Sequence, residues 1–245
     1  MPLFYLRRLT GKNRTETANR HLARYLAFVA GATNAGGFLA VHRYTSHMSG
    51  VVSAMADDFA NGDLRLVLVG FAVLLSFLFG ALLTTLLVRW ARKRELESEY
   101  ALPLIIESFL LLIFGFFGQV YNGGRVLGIM MLLSFTMGLQ NAIITKISDA
   151  VIRTTHLTGM VTDIGIALGR LADRGSKILH VATEAEFSRL QLLASLVALF
   201  FIGGVIGALG FKHVGFFFTL PLAAVLLLLA GIPVLDDVRR RDWAA

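Results

Sequence analysis

Cysteine is missing from the 245-residue chain, which excludes disulfides, thiolate metal ligands and cysteine nucleophiles. Charge is scarce as well. Only 16% of the residues are Asp, Glu, Lys or Arg, against roughly a quarter in a water-soluble domain. The first 21 residues lack the apolar core of a signal peptide and carry Arg7, Arg8, Lys12, Arg14 and Arg20 instead. No P-loop, His-Glu-x-x-His zinc motif, Gly-x-Ser-x-Gly elbow or dinucleotide fingerprint occurs, so no enzyme class is signed.

What is present is apolar. Hydrophobic residues make up 56% of the chain and the mean hydropathy is +0.70. The length suits one compact bundle. A net charge of +7 would suit nucleic acid, but the positive residues sit in short clusters between apolar runs, and the aromatics lie inside the runs. That distribution excludes a base-stacking platform and fits membrane topology signals instead. The expected partners are membrane lipids and a small solute, with no nucleic acid and no cofactor.

Six stretches are long enough to cross a hydrocarbon core of about 30 Å: Leu22–Val41, Leu64–Trp90, Ala101–Tyr121, Val126–Ile147, Leu190–Phe211 and Gly215–Leu235. With the N-terminus inside, only Arg43, Arg65, Arg125 and Lys212 of the 23 Lys and Arg face out. The positive-inside rule therefore puts both termini in the cytoplasm. The expected organisation is a basic tail over 1–21, three spans over 22–125, three spans over 126–236 and a short basic tail over 237–245. Residues 169–189 read as an amphipathic surface segment on the cytoplasmic side.

A duplication is the most informative feature. The first copy reads Gly31-Ala-Thr-Asn34-Ala35, then Thr45-Ser46-His47-Met48-Ser49-Gly50-Val51-Val52-Ser53. The second reads Gly138-Leu-Gln140-Asn141-Ala142, then Thr154-Thr155-His156-Leu157-Thr158-Gly159-Met160-Val161-Thr162. The Asn-to-His separations are 13 and 15 residues. Phe79-Gly80-Ala81 and Ile202-Gly203-Gly204 form a weaker echo downstream. Three spans per half is an odd number, so the halves have opposite orientations, the plan of many secondary transporters. The fold expected is all-α, with six transmembrane helices as two inverted three-helix repeats. Each polar motif would dip back as a broken, re-entrant half-helix, and the two would meet near the midplane.

At these motifs, above all Gly138–Ala142 and Thr155–Gly159, the sequence resembles the YoaK-like family of bacterial inner-membrane proteins of unknown function, over about residues 20–235. The resemblance implies a multi-pass protein of the bacterial cytoplasmic membrane and brings no substrate. Asn34 stands where the family pattern has Asp, and Ser49-Gly50-Val51 where it has Thr-Gly-Asn, so acid-based proton coupling is not carried over to that position.

Candidate ligand contacts are Asn34, Thr45, His47, Ser49, Gly50, Gln140, Asn141, Thr154, His156, Thr158 and Gly159. A histidine pair near a midplane can bind a solute or take up a proton, or each imidazole can brace a broken helix. Thr45 with Ser49, and Thr154 with Thr158, are i, i+4 pairs expected to share a helix face as contacts or caps. Asp163, seven residues after His156, and Glu107, inside the third run, are candidates for proton or ion coupling. Asp57 and Asp58 read as solvated loop charges. Two histidines without a carboxylate cluster or cysteine do not complete a metal site. The function expected is a small secondary transporter or permease for a small polar or anionic solute. An intramembrane enzyme acting on a lipid or quinone and a non-transporting scaffold are the alternatives.

Overall fold

Thr15 starts the first long helix by accepting the Ala18 amide N–H on its hydroxyl, which relieves one of the donors a helix start leaves unpaired. The computed structural model describes residues 9–11, 14–42, 45–119, 126–147, 157–172 and 179–242. Among these residues the regular structure is entirely helical. In chain order it comprises α1 (Glu16–Val41), α2 (Met48–Ala60), α3 (Leu64–Lys93), α4 (Ala101–Gln119), α5 (Val126–Ile147), α6 (Leu157–Ala172), α7 (Leu179–Val214), a 3₁₀ turn (Gly215–Phe218) and α8 (Thr219–Asp242).

Among the described residues four segments are long and apolar enough to cross a membrane: Leu64–Lys93, Ala101–Gly118, Val126–Lys146 and Glu186–Val238. The last runs to 53 residues and takes in both α7 and α8. Helices α2 and α6, with 13 and 16 residues, extend only about 20 and 24 Å at the helical rise. Both fall short of a hydrocarbon core of about 30 Å.

The long helices pack in pairs taken from distant parts of the sequence: α1 on α7, α3 on α5, and α4 on α8. Arg20 donates to Ser188, and Arg24 to Ser195, so α1 and α7 run parallel. The α4–α8 pair is antiparallel, because Gly115 meets Thr219 at one end while the Glu97 and Ser98 amides bond Asp237 at the other. The crossings of α1 with α7 and of α3 with α5 are built alike. A Cβ on Gly31 would overlap the Phe200 carbonyl, and one on Gly203 would overlap the Phe28 carbonyl. In the other pair Gly80 meets the Phe135 carbonyl and Gly138 meets the Phe77 carbonyl. Each glycine follows its own helix's phenylalanine by three residues, so one Phe-x-x-Gly pattern occurs four times. Only a residue without a side chain lets the backbones approach this closely, which is how helices associate where water supplies no hydrophobic drive.

The buried core comes mainly from α1, α5 and α8, with equal shares from α4 and α7. Helices α3 and α7 turn large apolar side chains outward, among them Leu78, Leu82, Leu86, Phe201 and Leu209, as a lipid-facing surface does. Several boundaries differ from the sequence reading, and α8 runs through Asp242, into the expected basic tail 237–245. Residues 16–21 belong to α1, and Leu9 and Thr10 are fully buried, so this part of the chain packs into the bundle. The segment 169–189 divides: 169–172 closes α6, 179–189 opens α7, and 173–178 lie outside the described residues.

Candidate functional site

The first motif begins where α1 stops. His42 takes a left-handed conformation (φ 53°), and its N–H bonds the Phe38 carbonyl at 2.7 Å, closing the helix. Thr45 and Ser46 then run buried between helices before α2 starts. The Ser46 hydroxyl donates to Asn34 Oδ1 on α1 at 3.0 Å, and the Ser134 hydroxyl on α5 donates to the Thr45 carbonyl at 3.1 Å. These bonds supply partners to a non-helical stretch that lipid would leave unsatisfied.

His47 is the N-cap residue of α2, although its side chain does not make the capping bond. Because α2 begins at Met48, Thr45 precedes the helix; it is buried, whereas Ser49 is exposed, so the two do not share a helix face as expected. A cavity of about 280 Å³ lies between α2, α3 and α5. Its polar lining is Thr45, His47, Gly50 and Asp58, and its apolar wall includes Ala54, Leu66 and Met130. Asp58 is therefore part of the cavity and not a loop charge. The signal was available in the sequence: Asp58 follows Val51 and Ala54 on one helical stripe, at seven and four residues.

A second cavity, about 490 Å³, opens between α1 and α7. Asn34 lines it beside Phe38, Leu39, Phe200 and Phe201, with Leu157 at the start of α6. Asn34 thus joins the first motif to this second space. Thr154 and His156 lie outside the described residues. Thr158 is exposed, with its carbonyl taking the Thr162 hydroxyl at 2.9 Å, and Gly159 is half-buried on α6.

Gln140 and Asn141 sit on α5 near its contact with α1, where Gln140 Nε2 donates to the Leu26 carbonyl at 3.3 Å. Among the described residues Gln140 Oε1, Asn141 Oδ1 and Thr33 Oγ1 are buried without a hydrogen-bond partner. Glu107, on α4, is 0% exposed, and both of its carboxylate oxygens likewise lack a partner among the described residues. An isolated ionised group is strongly disfavoured away from water, which sets Glu107 apart from the paired acids of the chain. Asp163 is differently placed. It accepts from Arg189 of α7 at 2.9 Å, beside an Arg170–Glu186 pair at 3.1 Å, around a space of about 120 Å³. Arg189 and Glu186 escaped the sequence reading because the partners lie 26 and 16 residues away across a helix junction. Among the described residues no three His, Cys, Asp or Glu side chains come together as a metal site.

Long apolar helices with lipid-facing outer surfaces and buried polar residues between them define a multi-pass α-helical membrane protein. The family profile described as protein of unknown function DUF1275 matches residues 22–232, and the chain belongs to that family. The transmembrane protein YoaK of Bacillus subtilis, described as a UPF0700 protein, is 25% identical over 190 residues, which cover 77% of this chain and 82% of YoaK. No solved structure matches.

Proposed function

We propose that the chain is a small permease of a bacterial cytoplasmic membrane, with six spans in two inverted halves and both termini in the cytoplasm. Its cargo is a small polar or anionic solute. The observation that carries the reading is the cavity at the first motif, where Thr45, His47 and Gly50 meet at the start of a helix too short to span. A helix start offers unpaired N–H groups and partial positive charge to an electronegative solute. About 280 Å³ is close to the lower end of small-molecule sites.

The matched Phe-x-x-Gly crossings support the internal two-fold, because α1 with α7 repeats in α5 with α3. The parallel course of α1 and α7 and the antiparallel course of α4 and α8 are those that six alternating spans require. The pairing also refines the moving parts. Each tight pair takes one helix from each half, so alternating access moves the α1–α7 pair against the α3–α5 pair.

The absence of cysteine makes the test direct. Ala54→Cys, in the cavity wall, is labelled with a membrane-impermeant maleimide in right-side-out and inverted vesicles, while small anions and polar solutes are screened for protection. The reading expects labelling from water that one solute class suppresses, and loss of that protection in His47→Ala. A residue 54 that stays unlabelled from both sides would sink the permease. The apolar, phenylalanine-lined cavity between α1 and α7 favours one second reading, an enzyme on a lipid or quinone with Asn34 at its polar point. Protection of Ala35→Cys by a quinone but by no water-soluble compound would select it.

A further inference from the structure

Helix α8 runs unbroken from Thr219 to Asp242 with Pro233 inside it. Proline has no N–H, so the carbonyl four residues earlier loses its helical partner. That carbonyl belongs to Leu229, and the Thr10 hydroxyl donates to it at 2.7 Å. Thr10 and Leu9 are both fully buried. Asp237, which holds the Glu97 and Ser98 amides at the start of α4, is eight residues further along, or about 12 Å at the helical rise. Leu9 and Thr10 therefore reach well into the bundle from the end where α4 begins and α8 finishes. At that end Arg14 lies over the Tyr100 ring, 3.7 Å from its centroid, so the same segment is held at a second point.

We propose that Leu9–Thr10 is a strap that holds α8 in place at Pro233, and that its undocking frees α8 to move there. A buried carbonyl stripped of its donor is disfavoured. A proline in mid-helix is also the usual place for a kink. With Thr10 docked, the Leu229 carbonyl has a donor. With Thr10 withdrawn, the helix opens towards water or a neighbouring hydroxyl. The strap thereby couples the N-terminal segment to the α4–α8 pair, whatever solute the protein carries.

The test is hydrogen exchange of the α8 amides around Pro233 in the purified full-length protein. Thr10→Val keeps the shape and removes the donor, and it should speed exchange roughly tenfold, on the scale of one buried hydrogen bond. Thr10→Ser should behave as wild type. Pro233→Ala restores the helical donor to Leu229, so adding Thr10→Val in that background should change nothing. Unchanged exchange in Thr10→Val, or equal acceleration with and without Pro233, overturns the strap. Should Thr10→Val fail to fold, Pro233→Ala must restore folding to the double variant, and its failure to do so overturns the strap equally.

Discussion

The two junctions between a short helix and the long helix after it share one backbone plan and differ in chemistry. Helix α2 lies against α3 around an open space of about 280 Å³, whereas α6 lies against α7 around about 120 Å³. Ala54 and Asp163 each follow the histidine of their motif by seven residues. Leu66 and Arg189 each precede the glycine of their crossing, Gly80 or Gly203, by fourteen. Ala54 and Leu66 both line the larger cavity, while Asp163 and Arg189 meet at 2.9 Å across the smaller one. Two positions thus separate a junction around a larger cavity from one bridged by an ion pair. The difference teaches that matching motifs and crossings go with a like arrangement of helices, while a few side chains set the size and polarity of the space between them.

The largest expected effect attacks the shared plan. Gly80→Val and Gly203→Val each drive a side chain into a partner backbone, where nothing can yield as a rotamer would. Each should destabilise the protein by about 3 kcal/mol, the upper end of ordinary overpacking. Thermal melting in detergent, followed by size-exclusion elution, measures it. Near-equal losses would mean that the halves are held together alike. A loss confined to one variant would show that the matched crossings are unequal and would weaken the comparison.

A smaller effect exchanges the chemistry. Ala54→Asp with Leu66→Arg transplants the ion pair into the α2–α3 junction, and Asp163→Ala with Arg189→Leu removes it from the other. With a single Val51→Cys as reporter in the cavity, the transplant should slow maleimide labelling by about tenfold, equivalent to about 1.4 kcal/mol in favour of the closed form. With Ala167→Cys as reporter at the α6–α7 junction, the removal should speed labelling. Unaltered rates in both reporters would separate the ion pair from the closure.

The apolar runs made the long helices legible, since a span is fixed by local composition and most boundaries fell within a few residues. The two short helices were legible because polar motifs interrupt the hydropathy at repeated positions. Their neighbours were not. The pairing of Gly31 with Phe200 joins residues 169 apart, and no local pattern states it. The glycines at 80 and 203 registered only as an echo, because their meaning depends on phenylalanines three residues earlier that look like any other apolar residue of a span. Asp58 was set aside as a loop charge because an acid near a helix end is usually solvated, although its helical spacing from Val51 and Ala54 put it on the cavity side. Thr10 lay in a stretch read by its arginines, and its partner is the backbone of a helix 219 residues away.

The smallest expected effect is the most telling about motion. Asp163 and Arg189 keep 38% and 54% of their side-chain surface exposed, so solvent screens the pair. Asp163→Asn should therefore lower the melting stability by only about 0.5 kcal/mol, and 1 M salt should remove most of that difference. The same substitution should still speed labelling of Ala167→Cys, since Asp163 ties α6 to α7. Under the proposed permease, a contact that contributes little to global stability yet governs access would suit a reversible opening, because thermal energy can break it without disturbing the glycine crossings. If Asp163→Asn instead destabilises the protein as much as Gly203→Val does, the pair belongs to the scaffold. The α6–α7 junction would then be permanently shut, and movement would be confined to the α2–α3 side.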